Sequence, residues 1–131
     1  MNDNDFSAAV SERRFGGIAR LYGADALNRF AAAHVCVVGV GGVGSWAVEA
    51  LARSGIGALT LIDLDNVAES NVNRQLHALT CDFGKAKVTA LHERILQINP
   101  ACRVTEIEDF VTEDNLPVLF RRPFDFVIDA I

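Results

Sequence analysis

A glycine-rich turn constrains the fold of this chain more than any other feature of its sequence. The turn, Gly39–Gly44, reads Gly-Val-Gly-Gly-Val-Gly and follows the continuous apolar run Val35–Val40. A run without alternation is typical of a parallel strand that is buried on both faces. Ser45–Arg53 then has a helical pattern, in which we expect Trp46 and Ala50 to pack inward. A strand, a glycine turn and a helix in this order predict a site where backbone amides approach a phosphate.

Three glycines of the turn have separate predicted roles. Gly39 permits the tight turn, Gly41 lets the backbone approach a phosphate, and Gly44 lets the helix pack close to the strand. The N-terminus of the helix then presents free N–H groups and the positive end of its dipole to the anion. These features favour a phosphate-binding turn over a glycine turn that has no ligand.

The rest of the chain alternates between strand and helix patterns. The predicted strands are Ala58–Ile62, Arg103–Ile107 and Phe124–Ile128, and the predicted later helices are Lys85–Gln97 and Thr112–Leu119. Upstream, we predict a flexible polar segment over residues 1–10, a short helix near Arg13–Leu21 broken by glycines, and a helix over Asp25–Ala33. This order predicts an α/β fold with a Rossmann-like, doubly wound, mainly parallel sheet. Since the fourth predicted strand leads directly to Asp129 and the sequence stops two residues later, we expect a sheet truncated there.

Composition narrows the class of protein. The chain is 50% hydrophobic with a net charge of −5, which favours a buried core and argues against a generally basic surface that coats nucleic acid. Its three cysteines form no CxxC pair, so we expect neither a disulfide framework nor a zinc site. The N-terminus has no apolar signal region and no run is long enough to span a membrane, so a cytoplasmic location is the simplest expectation.

Acidic residues follow the second predicted strand. Asp63 lies nineteen residues beyond Gly44, where an acid accepts hydrogen bonds from both ribose hydroxyls of a bound nucleotide. Asp65 is an equal candidate on sequence grounds. These features fit NAD, FAD or ATP equally well.

Two cations further along favour ATP. Asn71, Arg74 and Gln75 lie near the nucleotide if the polar connection folds back over it, and Lys87 lies at the start of the next predicted helix. An enzyme that breaks the bond between the α- and β-phosphates needs cations to neutralise the departing pyrophosphate. A dinucleotide oxidoreductase has no such need. Taken singly, Arg74 also fits a loop salt bridge and Lys87 fits a solvated helix face.

Residues 39–75 resemble the E1-like adenylating superfamily, which includes ubiquitin-activating enzymes and the activators of molybdopterin and thiamine sulfur carriers. The resemblance runs from about Arg14 to Ile131 and rests on the spaced motifs GxGGxG, DxD, SNxxRQ and GKxK. Within the superfamily, residues 14–23, 44–57 and 73–79 look most like the tRNA threonylcarbamoyladenosine dehydratase branch. Residues 11–131 are accordingly interpreted as the N-terminal part of an E1-like ATP-binding domain.

The resemblance implies a role for each matching residue. Gly41 and its neighbours, Gly42 among them, contact the phosphates of ATP, and Asp63 holds the ribose. Asn71, Arg74 and Lys87 hold the triphosphate, and Arg74 and Lys87 stabilise the leaving group. The nearest histidine to this predicted site in the sequence is His77, which is the one that we would test.

The resemblance also implies a function: ATP- and Mg²⁺-dependent adenylation of a carboxylate, most similar to the cyclisation of N6-threonylcarbamoyladenosine in tRNA, by a homodimer. A different possible function is adenylation of the C-terminal glycine of a ubiquitin-like sulfur-carrier protein, with that carrier or a sulfur-transfer protein as partner. An NAD-binding oxidoreductase domain is a third possibility, and a non-catalytic fragment is a fourth.

Two departures from the superfamily pattern bear on these expectations. Gly17 stands where sulfur-carrier activators have an arginine that reaches the partner subunit's ATP, which leaves Arg14 or Arg20 as candidates for that role. Asp129 matches the beginning of the magnesium-binding DxxD segment, whose second aspartate would follow Ile131. We therefore expect no metal ligand within this chain, and little or no turnover from residues 1–131 alone.

Overall fold

A four-stranded parallel sheet forms the centre of the protein, as a computed structural model describes it for residues 3–131, with side chains described from residue 10. The strands are β1 (His34–Val38), β2 (Ala58–Ile62), β3 (Arg103–Ile107) and β4 (Phe126–Asp129), in the order β3-β2-β1-β4. The α-helices of the described chain are α1 (Asp3–Tyr22), α2 (Ala24–Ala32), α3 (Gly44–Arg53), α4 (Lys87–Ile98) and α5 (Leu116–Leu119). The predicted Rossmann-like, doubly wound α/β fold is confirmed.

The connections between strands explain the two layers of helix. α3 and α4 carry the chain outward from β1 to β2 to β3, and their apolar side chains pack with Val37 and Leu61 on one face of the sheet. The next connection carries the chain back across the sheet to β4, and it covers Cys36 and Val38 on the opposite face. β1 is therefore the point where the strand order reverses, and ligands bind at such points in open α/β sheets.

The N-terminal region differs from its predicted form. Residues 3–10, predicted to be flexible, are helical, and α1 continues without a break through Gly16 and Gly17 to Tyr22. Residues 1–2 of the predicted flexible segment lie outside the described residues. α2 begins at Ala24, one residue before its predicted start. The two glycines weaken helix propensity without preventing the helix, since α1 packs against α2 and its Phe15 is buried.

The prediction for the inward face of α3 is wrong. The buried positions are Gly44, Ser45, Val48 and Ala52, whereas Ala50 is exposed and Trp46 is 53% exposed. Successive helical residues are rotated by about 100°, so Trp46 points away from the stripe that faces the sheet.

Several element boundaries also shift. The sequence predicts a helix that Thr112 caps and that runs to Leu119, but α5 has only its last turn, Leu116–Leu119. Thr112 does make the predicted cap contact, because its Oγ1 accepts from the N–H of Asn115 at 3.2 Å and its own N–H donates to Asn115 Oδ1 at 2.8 Å. The turn that it caps precedes α5. β1 ends at Val38 rather than Val40, because the glycine turn begins there. The polar connection after β2 contains two short 3₁₀ helices, Glu69–Asn71 and Thr80–Asp82.

Candidate functional site

A cavity of about 470 Å³ lies at the carboxyl ends of the four strands of the described sheet. In an open parallel sheet this edge is where ligands bind. Eight of the ten predicted site residues line the cavity, namely Gly39, Gly41, Gly42, Asp63, Asp65, Arg74, Gln75 and Lys87. Gly44 and Asn71 are not among the lining residues.

The glycine turn is shaped by two close backbone approaches. Gly39 has a φ of 85°, a backbone conformation that residues other than glycine rarely adopt. Its backbone N–H donates to the carbonyl of Ile62 at 2.8 Å. A Cβ atom at Gly44 would lie 1.7 Å from the carbonyl oxygen of Gly39. Gly44 is therefore needed for the packing of helix on strand, as the sequence predicts, and this explains its absence from the cavity wall.

The start of α3 offers unused hydrogen-bond donors. The backbone N–H groups of Gly41, Gly42 and Val43 find no acceptor within residues 3–131. The first turn of α3 contains no acidic side chain, so the positive end of the helix dipole is not neutralised locally. These features suit an anion such as a phosphate group.

Residues 74–77, here called the 74–77 segment, are tied to the glycine turn by hydrogen bonds. The indole N–H of Trp46 donates to the carbonyl of Arg74 at 3.0 Å. The backbone N–H of Leu76 donates to Ser45 Oγ at 3.2 Å, and that hydroxyl donates to the carbonyl of Gly41 at 2.5 Å. These hydrogen bonds fix the position of the segment that carries Arg74 relative to the turn.

His77 adds a third tie to the turn. Its Nε2 lies 2.7 Å from the carbonyl oxygen of Val40 and must donate, because a carbonyl only accepts. Burial lowers the pKa of His77, and the positive charge of Lys87 lowers it further, against the opposing effects of Val40 and of Asp63 and Asp82. The ring is therefore neutral at pH 7, with Nδ1 as a buried acceptor that has no partner among the described residues.

Asp63 holds the turn and also faces the cavity. Its Oδ2 accepts from the N–H of Val40 at 2.9 Å, and its Oδ1 accepts from the N–H of Asp65 at 2.8 Å. Each carboxylate oxygen has about two lone pairs, so both oxygens retain acceptor capacity for a ligand.

Lys87 is not on a solvated helix face. It is only 6% exposed and lines the cavity. Its backbone N–H donates to the carbonyl of Asp65 at 3.0 Å. Its Nζ lies 3.7 Å from Asp65 Oδ2, which is too long for a hydrogen bond. The ammonium group therefore keeps its donors for another anion.

Arg74 is exposed and combines a loop contact with a place in the cavity wall. Its Nη1 donates to the carbonyl of Ser70 at 3.1 Å and to Asn73 Oδ1 at 2.9 Å. A Cβ atom at Gly42 would lie 3.6 Å from Arg74 Cγ, so the aliphatic stem passes over the glycine turn. The guanidinium group has five N–H donors and keeps several of them for a ligand.

The two predicted amide ligands lie in different environments. Asn71 is buried, and its Oδ1 accepts from the N–H of Ala68 at 2.9 Å, which closes the short helix in the connection after β2. Gln75 is 8% exposed and lines the cavity beside Gly41, and its Oε1 has no partner among the described residues. Gln75 is therefore a polar group with unused capacity in the cavity wall.

Some residues of the site were missed by the sequence interpretation. Asp109, Phe110 and Val111 follow β3 and line the cavity, and Ser45 ties the turn to the 74–77 segment. The position of Asp109, Phe110 and Val111 in the sequence could have identified them, because residues just after a strand in a parallel sheet meet at the ligand-binding edge.

The remaining sequence expectations concern arginines, metal and membrane. Nη1 of Arg14 donates to the carbonyls of Gln97 and Ile98, both at 3.0 Å, away from the cavity. Arg20 is exposed, and the role of either arginine at a partner's ATP stays a prediction.

Among residues whose side chains are described, no group of three His, Cys, Asp or Glu residues is arranged to hold a metal ion. None of the described helices combines the length and apolarity needed to cross a membrane.

Comparisons with known proteins agree with this geometry. The ThiF family model matches residues 16–131. The tRNA threonylcarbamoyladenosine dehydratase of Escherichia coli K12 is 61% identical over 119 residues, which are 91% of this chain and 44% of that protein. The Haemophilus influenzae enzyme of the same name is 55% identical over 120 residues, or 92% of this chain and 46% of that protein.

Solved structures give the same result. The crystal structure of the E. coli dehydratase in complex with ATP matches with a TM-score of 0.91 over 92% of this chain and 49% of that one, at 61% identity. A structure of the same enzyme with AMP matches equally well, with a TM-score of 0.91. The chain thus spans about half the length of the relatives that it matches.

Proposed function

This chain belongs to the ThiF family, and we propose that the protein that carries it uses ATP to adenylate the carboxylate of N6-threonylcarbamoyladenosine in tRNA. One observation carries the proposal. Unused backbone N–H groups, a buried lysine and an arginine meet at a single cavity, as an enzyme that expels pyrophosphate requires.

The residues of the glycine turn bind and orient the nucleotide in this proposal. The N–H groups of Gly41 and Gly42 donate to phosphate oxygens, and the free lone pairs of Asp63 accept from the ribose hydroxyls. Gln75 offers its free amide oxygen to a donor on the bound substrates. The ties from Ser45 and His77 keep these groups in fixed positions, so little reorganisation accompanies the reaction.

Arg74 and Lys87 stabilise the charge that develops as the bond between the α- and β-phosphates breaks. The substrate carboxylate attacks the α-phosphate in line, pyrophosphate leaves, and the product is an acyl-adenylate. A nucleophile within the same side chain then attacks the acyl carbon, closes a ring and expels AMP. Proximity makes ring closure fast without a nucleophile from the protein.

Magnesium belongs to the proposal only as the ion that accompanies ATP. Mg²⁺ takes one or two carboxylates together with phosphate oxygens and water, and the described side chains contain no cluster that would hold it alone. Asp63, Asp65 and Asp109 line the cavity, and the side chain of Asp65 is 64% exposed.

We also propose that the protein is a cytoplasmic homodimer, which sedimentation and cell fractionation test directly.

Release of AMP and pyrophosphate by the complete protein tests the proposal. With tRNA that carries N6-threonylcarbamoyladenosine, we expect product formation that Lys87→Ala lowers at least about 100-fold, because one stabilising donor contributes that much. Lys85→Ala is the matched control: this lysine, two residues away, pairs with Asp82 and Glu93 outside the cavity, and its loss should change the rate less than about twofold.

The choice of substrate in this assay separates the possible functions. Product formation with a ubiquitin-like sulfur carrier and none with modified tRNA would overturn the RNA substrate while keeping adenylation. Protection against thermal unfolding by NAD, with none from ATP and Mg²⁺, would overturn the adenylation chemistry itself.

A further inference from the structure

A second cavity, of about 390 Å³, lies among α1, the end of α3 and α4. We call it the arginine pocket. Its lining residues are Arg14, Phe15, Arg53, Arg94, Gln97 and Ile98. None of these residues lines the cavity at the glycine turn, here called the nucleotide cavity, and no carboxylate is among them. Three of the twelve lysines and arginines of the chain thus surround one concave surface, although the chain has a net charge of −5.

A single carboxylate serves two of these arginines. Glu49 accepts from Nε and Nη2 of Arg94 at 2.6 and 2.9 Å, and from Nε of Arg53 at 2.7 Å. Its side chain is 13% exposed, and Glu49 is not among the residues that line the pocket. The hydrogen bond from Arg94 and then that from Arg53 outweigh burial and hold the pKa of Glu49 below its ordinary value. Glu49 is therefore ionised at neutral pH.

The third arginine has no carboxylate partner among the described residues. Arg14 donates only to the last carbonyls of α4, which carry partial charge. Three guanidinium groups and one carboxylate leave a net charge of +2 in the immediate surroundings of the pocket.

Arg53 has the largest unused capacity. Only its Nε is engaged among the described residues, and its side chain is 59% exposed. The ion pairs of Arg94 explain how α3 and α4 are held together, but an exposed pair such as Arg53–Glu49 contributes little to stability. The free terminal amino groups of Arg53 form the planar fork that matches a phosphate group.

We propose that the arginine pocket binds a backbone phosphate of the RNA substrate, at the end of α3 opposite to the one that borders the nucleotide cavity. The proposal rests on the proposed function, because RNA is the substrate there. Lys87 begins α4 in the nucleotide cavity, and Arg94 lies seven residues later, two turns down the same helix face. At 1.5 Å per residue the separation along the axis is about 10 Å for Arg94, and from Gly44 to Arg53 along α3 it is about 14 Å. At ~3.4 Å per stacked nucleotide, about three to four nucleotides cover these distances.

Binding of tRNA to the complete protein, measured by fluorescence anisotropy at several KCl concentrations, tests the pocket. Arg53→Gln should weaken binding three- to tenfold at low salt and reduce the slope of log K against log salt by about one, as loss of one phosphate contact does. The KM for modified tRNA should rise by a similar factor, while the KM for ATP and the thermal midpoint stay within error of wild type. Arg53→Lys keeps the charge and should recover part of the affinity.

Arg29→Gln is the matched control, because Arg29 is exposed on α2 and lies outside both cavities. Equal affinity and equal salt slope in wild type and Arg53→Gln would overturn the pocket, as would an effect of Arg53→Gln on binding of a carrier protein but not of RNA. If tRNA supports no AMP release, the proposed function fails. In that case the pocket proposal stands only if Arg53→Gln still weakens RNA binding and Arg29→Gln does not.

Discussion

β1 and β4 are hydrogen-bonded neighbours built from similarly apolar residues, yet their surroundings differ. Val35, Cys36 and Val37 of β1 are at most 3% exposed, whereas Phe126 and Val127 of β4 are 71% and 46% exposed. β1 lies between two strands and beneath α3, while β4 is an edge strand of the described sheet. The comparison teaches that an apolar run predicts a strand, but that neighbouring elements determine whether the strand is buried.

The glycine turn after β1 provides the largest expected effect. Gly44→Ala places a Cβ 1.7 Å from the carbonyl of Gly39, so helix and strand must separate. We expect a loss of more than about 4 kcal/mol of unfolding free energy, measured by urea denaturation.

Gly41→Ala is the matched control within the same turn. Its Cβ would meet Gln75 Nε2 at 3.5 Å, an ordinary contact, so stability should stay within about 1 kcal/mol of wild type. The added methyl group obstructs the approach of a phosphate, and ATP affinity measured by calorimetry should fall at least about tenfold. Equal stability of the two variants would refute this assignment of roles.

A matched pair of substitutions sharpens the comparison between the two strands. Val37→Ala in β1 removes two methyl groups from a fully buried site and should cost about 2–3 kcal/mol in the 131-residue chain. Val127→Ala in β4, on a half-exposed side chain, should cost less than about 1 kcal/mol. An equal loss of unfolding free energy in both variants, measured by chemical denaturation, would contradict the difference in burial between β1 and β4. The same two substitutions in the complete protein would measure whether Val127 is more buried there than in the 131-residue chain.

The smallest expected effect concerns pH. Burial lowers the pKa of His77 in the folded protein, so below its ordinary value near 6.5 the unfolded chain binds the proton and the folded chain does not. Stability should therefore fall as pH drops from about 6.5 toward 5, and His77→Gln should make that fall less steep.

His34 must be separated from His77 in this experiment, because burial and the charges of Arg103 and Arg122 also lower its pKa. His34→Gln is the companion variant, and the two histidines should contribute independently. A pH dependence that is identical in wild type and His77→Gln would contradict the buried neutral ring.

Much of the fold and the site was predictable from local pattern. The apolar runs predicted four strands and the glycine motif predicted the turn. Eight of the ten predicted nucleotide-binding residues line one cavity, and their role in binding stays a prediction. The strands and the turn are confirmed because parallel strands, glycine conformations and helix N-termini follow from short segments of chain. The arginine pocket had no such signal, since Arg14, Arg53 and Arg94 are far apart in sequence and belong to three helices.

The order of strands and helices, the glycine turn, and the residue types available for nucleotide chemistry can all be read from the sequence alone. The packing of distant elements is what makes Trp46 donate to Arg74 rather than pack inward, buries Lys87 and leaves β4 exposed. Local pattern fixes backbone conformation within a few residues. Burial, charge pairing and hydrogen bonding between distant segments depend on which elements the completed fold brings together.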